Sequence, residues 1–238
     1  MKKKIITIFI LLSTCIGYGQ TSDVISPGKI ALGLNFSPDY SYRWLVAKPS
    51  FGWMKEIRDS TELPRLGFTT GLSLFYQLTE RITLESGLQF ADKGVKSTIY
   101  NDYIAVNEDD PAIPPDGARF VYHDYYLELP IKINYIVLSG KIQLFVAGGI
   151  SLNYFLFHRT TTIIVGTNKK SSGSGFDGNA RFSVALLTSA GIDYNILKRT
   201  NLRLEPIFRG SLISNYEAPL KQYQYSLGIN LGLYYKLK

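Results

Sequence analysis

Eight charged residues fall on one face of segments in which apolar and polar side chains alternate. The acids are Glu85, Glu128, Asp193 and Glu205, and the bases are Lys132, Arg203, Arg209 and Lys236. Four acids facing four bases predict a packed ionic network, because a buried charge without a partner is strongly disfavoured. The alternative role for the same side chains is the selective filter of a narrow pore.

The chain has two histidines, His123 and His158, as candidates for a general base. His158 precedes the Thr160 hydroxyl by two residues, an arrangement that invites comparison with lipid hydrolases that pair a histidine with a nearby serine. No acid that would orient the imidazole is evident in the sequence. We therefore predict no enzymatic activity and interpret both histidines as solvated polar residues.

Two loop segments carry further candidate ligands. Residues 107–110, with Asp102 and Asp116, gather oxygens that suit a divalent cation, but they lack the spacing and central glycine of a calcium loop. We interpret this segment as a solvated acidic loop and predict neither a metal nor a cofactor. Residues 169–175 predict a flexible loop tip, for which contact with lipopolysaccharide phosphates is a hypothesis.

The elements that must position these residues are β-strands, since apolar side chains recur with a period of two in eight runs. The predicted strands are residues 29–37, 67–78, 82–91, 125–135, 142–154, 182–194, 202–208 and 223–237. Short connections fall at residues 79–81, 136–141 and 196–201, and long polar ones at 39–66, 92–124, 155–181 and 210–222. The connections therefore alternate between short and long.

Aromatic residues mark both ends of the apolar faces. At the end next to the long connections they are Phe36, Phe68, Phe90, Tyr125, Tyr154, Phe182, Phe208 and Tyr225; at the opposite end they are Tyr76, Tyr135, Tyr194 and Tyr235. Two aromatic girdles around an apolar band are typical of a barrel surrounded by lipid.

These patterns predict an all-β fold, an eight-stranded antiparallel up-and-down transmembrane β-barrel with short periplasmic turns and long extracellular loops. Only a closed barrel leaves no strand edge unpaired in lipid. A soluble barrel or sandwich is the alternative, and it explains the alternation but not the aromatic ends. Pro130 and Pro206 lie inside predicted strands, and we expect a bulge or a strand end near each of them.

The first residues predict the compartment. Lys2, Lys3 and Lys4 precede a short apolar run and the small residues around Gly19, so residues 1–19 are predicted to be a signal peptide. Residues 20–28 would form an N-terminal periplasmic segment and residues 29–238 the barrel, in a Gram-negative outer membrane. Cys15 raises lipidation as an alternative. Removing the leader lowers the formal charge from +7 to about +4, which argues against binding nucleic acid.

Four short motifs carry a resemblance to a known family. They are residues 126–132 (YLELPIK), 37–43 (SPDYSYR), 87–90 (GLQF) and 146–149 (VAGG) with Ser151 and Leu152. Together, over essentially the whole chain after the leader, they resemble the PorT-like outer-membrane β-barrel family of Bacteroidetes. The resemblance implies an outer-membrane location, an eight-stranded barrel and tolerance of Pro130. Some members are linked to a secretion and gliding machinery, which keeps that role open.

We therefore predict an integral outer-membrane barrel that acts through its extracellular loops or as a component of an envelope or secretion complex. Its predicted partners are outer-membrane lipid and envelope or secretion-machinery proteins. Tyr42, Arg43 and Trp44 are the predicted loop contacts, because an exposed Tyr-Arg-Trp cluster suits recognition; packing at the barrel rim is the alternative. The alternative functions are a small passive channel and an outer-membrane lipid-modifying enzyme.

Overall fold

The computed structural model describes residues 30–100, 117–166, 170–174, 180–216 and 219–237. The predicted signal peptide, the segment 20–28, Cys15 and the acidic loop at 102–116 lie outside the described residues. So do residues 169 and 175 of the predicted loop tip.

Strands form most of the described chain. They are β1 (Ile30–Ala47), β2 (Glu62–Gln77), β3 (Ile82–Lys93), β4 (Val95–Ser97), β5 (Ala118–Leu138), β6 (Ile142–Ile164), β7 (Lys170–Gly173), β8 (Phe182–Leu197), β9 (Thr200–Ser211) and β10 (Leu220–Lys236). A 3-10 turn at Pro49–Phe51 leads into helix α1 (Gly52–Thr61), which connects β1 to β2. Within the described ranges, no helix has the length and apolar character needed to cross a membrane.

Eight long strands close into a ring. Each pairs antiparallel with its neighbours in the order β1, β2, β3, β5, β6, β8, β9 and β10, and β10 returns to β1. The short strands β4 and β7 extend the sheet at the long-loop end. The predicted eight-stranded antiparallel barrel is confirmed.

The strands are strongly staggered around the ring. Following paired residues once around it from Leu32 of β1 leads back to β1 at Tyr42, ten residues further along. Such a stagger requires strands that tilt by roughly 35–45° from the barrel axis, and eight of them enclose a space that side chains fill.

The two faces of the wall are the reverse of those in a soluble protein. On β1, Leu34 points outward and is 63% exposed, whereas its neighbour Asn35 points inward and is 5% exposed. The same alternation runs through β5, β9 and β10. The apolar face therefore surrounds the barrel and the polar face fills it, so the soluble alternative is wrong.

Several strands run further toward the long-loop end than predicted. The segment 39–66, predicted as a loop, consists of the upper half of β1, helix α1 and the start of β2. Strand β5 begins at Ala118 and β6 continues to Ile164, where loops were also predicted. The prediction failed because polar inward residues such as Asp39 and Arg43 make a strand that rises above the apolar band resemble a loop.

Prolines inside the strands interrupt the ladder without shifting its register. The β3–β5 ladder runs to Ser86–Ile131 and resumes at Gln89–Glu128, leaving a gap beside Pro130. The β8–β9 ladder has the same gap beside Pro206, and the β1–β10 ladder has one beside Pro38. The expectation of a bulge or strand end at Pro130 and Pro206 is therefore wrong, since each strand continues straight past its proline.

Candidate functional site

Five of the eight predicted lumen charges meet in one buried network, which we call the central network: Glu85, Lys132, Asp193, Arg203 and Glu205. The Lys132 Nζ lies 3.0 Å from Glu85 Oε1 and 2.8 Å from Glu205 Oε1. Arg203 pairs with both Asp193 oxygens at 2.7 Å and donates to Glu85 Oε2 at 3.1 Å. These contacts connect β3, β5, β8 and β9 across the lumen, and Asn230 of β10 joins them by donating to Glu205 at 2.7 Å.

Aromatic rings hold the guanidinium of Arg203 from the side facing the short turns. Its Cζ lies 4.0 Å from the ring centre of Phe145, 4.9 Å from Phe75 and 5.2 Å from Tyr234. A cavity of about 80 Å³ opens at this end, lined by these rings together with Asn134, Asn201 and Arg203. The central network therefore separates a small vestibule at the short-turn end from the rest of the interior.

The other three predicted lumen residues have different partners. Glu128 accepts from Lys93 at 2.5 Å, and Arg209 donates to Asp39 at 2.8 Å. Lys236 is half-buried at the short-turn end, where it donates to Asn195 at 3.3 Å. The sequence analysis missed Asp39 and Lys93, although both lie two residues past a predicted strand end and in phase with its inward face.

Glycine makes room for one of these pairs. A Cβ atom at Gly228 would collide with Asp39 Oδ1 and Ser37 Oγ and would lie 3.1 Å from Arg209 Nη1. Any side chain at this inward position would therefore displace the Asp39–Arg209 pair.

A second cluster closes the long-loop end of the wall beneath α1. The carboxylate of Glu62 binds both Arg43 and Arg58, and Arg58 also donates to Gln222 of β10 at 3.0 Å. Arg43 is 2% exposed, so the prediction of an exposed Tyr42-Arg43-Trp44 cluster is wrong for Arg43. Burial lowers the pKa of Arg43 from its usual value, although Glu62 opposes that effect. Tyr42 and Trp44 point outward.

A third cluster lies just beyond Phe90, toward the long-loop end of β3. Arg65 forms a bidentate salt bridge with the Asp92 carboxylate, with distances of 2.7 and 2.8 Å. His123 Nδ1 lies 3.1 Å from the same carboxylate. Burial raises the pKa of Asp92, but the hydrogen bonds from Arg65 and His123 lower it by more. The pKa of Asp92 therefore lies below its ordinary value.

The acid that the sequence analysis did not find for His158 is Asp124. Its Oδ1 lies 2.6 Å from His158 Nδ1, and the other imidazole nitrogen, Nε2, lies 3.0 Å from Thr160 Oγ1. Gln224 donates to Asp124 Oδ2 at 2.5 Å and fixes the carboxylate from β10. Asp124 lies opposite His158 in the β5–β6 ladder, 34 residues earlier in the chain, so local spacing could not reveal it.

The twelve aromatic residues predicted as girdles all lie on the outer face. On the long-loop side, ring contacts at 5.6 to 6.2 Å join Phe36 to Phe68, Phe68 to Phe90 and Phe90 to Tyr125. Phe157, which the prediction omitted, continues the row 4.5 Å from Tyr125. It reaches the outer face because one extra residue bulges β6 opposite Tyr125 and Tyr126.

Metal-binding chemistry finds no support in the part of the chain that the structure describes. Within those ranges, no group of three or more His, Cys, Asp or Glu side chains is arranged to hold a metal ion. The carboxylates described above are instead engaged by arginine, lysine, histidine or amide groups.

A family model described as "Outer membrane protein beta-barrel domain" matches residues 28–215. Among solved structures, the chain is similar to the outer membrane protein AlkL, with 12% identity, 93% of this chain and 96% of that chain covered, and a TM-score of 0.48. It is also similar to OprG from Pseudomonas aeruginosa (13% identity, 89% and 97% covered, TM-score 0.42). A third is the protease OmpT from Escherichia coli (8% identity, 91% and 100% covered, TM-score 0.44). None of the curated proteins compared with the chain matches it.

Replacing Lys132 by Met is expected to destabilise the barrel strongly. The change leaves Glu85 and Glu205 buried with one cation fewer, and breaking a buried ion pair by removing one partner typically costs about 3–5 kcal/mol. The measurement is urea unfolding of the protein in detergent, followed by tryptophan fluorescence. Lys198→Met, in the exposed β8–β9 turn, is the matched control, and equal unfolding midpoints for the two variants would contradict the prediction.

The Asp92 pair is expected to make stability depend on acid. Because its pKa is lowered on folding, Asp92 stabilises the barrel above the unfolded value of about 3.9, and this contribution is lost as the pH falls through the folded value. The difference in unfolding free energy between the wild type and Asp92→Asn should therefore be largest near pH 7 and shrink below about pH 4. Asp59→Asn, which removes the exposed Lys55–Asp59 pair, is the control and should show little difference at any pH.

Proposed function

Because this chain belongs to the family of outer membrane protein beta-barrel domains, we propose that it acts as a closed, non-enzymatic barrel. It would act through its extracellular surface or as a component of an envelope complex. The barrel lies in the outer membrane, with its apolar outer face in lipid. The proposal therefore concerns what the barrel does there.

The central network is the observation that carries this proposal. Lys132 and Arg203 bind carboxylates from three strands at 2.7 to 3.1 Å, and the ring of Phe145 packs against the Arg203 guanidinium from below. Ions would pass only if these buried pairs separated, which would leave charges unpaired inside the wall. The geometry favours a plug over a selective filter.

The upper part of the barrel supports a role outside the membrane. Strands β1, β2, β5 and β6 continue beyond the girdle and carry α1, which the Arg58–Gln222 contact fixes to β10. A rigid extension of this kind offers a fixed surface to other molecules. We further propose that the chain is a PorT-like barrel of Bacteroidetes within a secretion or other envelope complex. Its layout would be a signal peptide (1–19), a periplasmic segment (20–28) and the barrel (29–238).

Crosslinking in the native envelope and conductance in planar bilayers test the proposal together. The tagged protein should co-purify with envelope proteins at a fixed ratio, identified by mass spectrometry. The pure protein, shown to be folded by its mobility in an unheated gel, should give no conductance steps because the central network fills the lumen.

The outcomes separate the alternatives. Discrete conductance steps from folded protein would overturn the plug and favour the small passive channel. Recovery of the barrel alone after crosslinking would overturn the envelope complex and leave the extracellular surface as the acting part.

The Asp124–His158–Thr160 row supports a second candidate function, hydrolysis of an ester. Asp124 orients the imidazole, and Nε2 is placed to take the Thr160 proton as Oγ1 attacks an ester carbonyl. The same proton would pass to the leaving alcohol, and water would then release the acyl group from Thr160. We rank this function second because the contacts described above place no donor where the developing oxyanion would lie.

Hydrolysis of a short-chain p-nitrophenyl ester by the folded barrel tests this candidate. Thr160→Val and His158→Ala should each lower the rate by about 100-fold or more if the triad is active, and an acyl group should appear on Thr160 by mass spectrometry. His123→Ala, which removes the histidine outside the row, should leave the rate unchanged. Equal hydrolysis rates for the wild type and Thr160→Val would rule out Thr160 as the nucleophile of an esterase.

A further inference from the structure

The three short turns of the barrel carry a group of basic side chains. Each turn ends on a base that directly precedes the next strand: Arg81 before β3, Lys141 before β6 and Arg199 before β9. Lys198 adds a fourth base, and Glu80 is the one acid in the three turns. We call the following residues, together with the half-buried base at the end of β10, the basic collar: Arg81, Lys141, Lys198, Arg199 and Lys236.

Backbone hydrogen bonds hold the collar in place. The carbonyls of Arg81, Lys141 and Arg199 each accept a hydrogen bond at 2.8 to 3.0 Å from the amide of a neighbouring strand. Two strands separate each of these residues from the next around the ring, so their backbones lie about 10 Å apart. The collar is therefore a regularly spaced set of bases at one end of the barrel.

The positive charge of the collar is not neutralised by neighbouring acids. Among the described residues, no acid forms a salt bridge with Arg81, Lys198 or Arg199. At the opposite end of the barrel, by contrast, Lys55 of α1 pairs with Asp59 at 2.6 Å. Unpaired bases that are grouped in this way raise the local positive potential and attract anionic molecules.

The collar lies at the mouth of the vestibule, which Lys236 helps to line. Asn201 and Tyr234 are direct partners in the β9–β10 ladder and both line this cavity. They are 7% and 4% exposed, yet neither Asn201 Oδ1 nor Tyr234 Oη has a hydrogen-bond partner among the described residues. Buried polar atoms are almost always paired, so we expect water or a polar group of a ligand to bind them. A cavity of about 80 Å³ has room for several waters or for one side chain.

The position of the vestibule selects the kind of molecule that can bind there. Lipid surrounds the barrel, whereas the vestibule opens on the barrel axis, toward the side of the short turns. In outer-membrane barrels that side faces the periplasm. The Asp193 carboxylate also lines the cavity, where Arg203 engages both of its oxygens. A neutral amide therefore suits the cavity better than a further carboxylate, which Asp193 would repel.

We propose that the basic collar and the vestibule together bind an extended acidic segment of a periplasmic protein. Carboxylates of the segment pair with the collar bases. An Asn or Gln side chain of the segment enters the vestibule, where its amide donates to Asn201 Oδ1 and accepts from Tyr234 Oη. This inference rests on the proposed role in an envelope complex, for which it names the docking surface and the charge of the partner.

Fluorescence anisotropy of a labelled peptide tests the proposal. The probe is a fluorescein-labelled peptide of about ten residues in which Glu and Asn alternate, added to the folded barrel in zwitterionic detergent. Binding should saturate and should weaken as salt is added. The triple change Arg81→Gln/Lys141→Gln/Arg199→Gln should weaken the affinity by about tenfold or more. The matched control, Lys48→Gln/Lys170→Gln/Lys221→Gln, removes the same charge from exposed positions at the long-loop end and should have no effect.

Tyr234→Phe separates the contribution of the vestibule from that of the collar. Because the hydroxyl makes no hydrogen bond within the described barrel, its removal should leave the unfolding midpoint unchanged. The affinity for the Glu–Asn peptide should fall by about threefold to tenfold, which is the effect of one hydrogen bond. A peptide of the same length in which Glu and Ala alternate should bind the wild type and Tyr234→Phe equally.

Four results would overturn the inference. An unchanged affinity in the collar variant, or an equal loss in the long-loop control, would remove the collar as the binding surface. Unchanged binding of the Glu–Asn peptide by Tyr234→Phe would remove the vestibule contact. Loss of peptide binding in phosphatidylglycerol bilayers, but not in phosphatidylcholine bilayers, would show that lipid headgroups occupy the collar.

The fourth result comes from the native envelope. Partners that co-purify equally with the wild type and with the collar variant would overturn the collar as a docking surface and leave the proposed complex intact. Failure of the complex itself is a different result, in which the wild-type barrel is recovered alone.

Discussion

The need to neutralise charge inside a closed wall is the constraint on which the rest of the structure depends. Lys132 and Arg203 lie where no bulk water competes, so each must be matched by carboxylates at hydrogen-bonding distance. Because the partners come from different strands, the pairs are satisfied in one register only. A slip of a single residue would turn every inward charge toward lipid. The buried ion pairs therefore favour one strand register, and that register in turn determines which charges meet inside the barrel.

Above the lipid-facing apolar band, the barrel wall still has to be held closed. Strands that continue above the girdle still need closure, and the Glu62 cluster provides it by joining β1, α1 and β10. The outward face is no longer constrained by hydrocarbon at this height. Two kinds of surface result, a polar wall with His123 and Arg159 and an aromatic wall with Trp44. One set of strands thus forms both the lipid-facing band and the wall above it.

Much of this arrangement was readable from the sequence, because lipid imposes a period of two and places aromatic rings at the ends of each strand. Strand number, direction and the inward position of Glu85, Lys132 and Arg203 followed from that pattern. The strand ends did not, since Asp39 and Arg43 continue the inward face with residues that also suit a loop. Asp124 could not be paired with His158 because only the β5–β6 register brings them together. Pairing across strands is information that alternation does not contain.

The three proline gaps also divide the wall mechanically. They fall between β10 and β1, between β3 and β5, and between β8 and β9. The gaps divide the ring into three groups of strands: β1–β2–β3, β5–β6–β8 and β9–β10. Within each group, no proline interrupts the ladder between neighbouring strands. Each of the three ladders between the groups lacks pairs beside its proline, and a missing ladder bond is a point of low resistance to opening. The central network crosses two of these interrupted ladders, because Lys132 pairs with Glu85 across β3 and β5 and Arg203 pairs with Asp193 across β8 and β9. The ion pairs therefore join the strands where the backbone ladder is weakened.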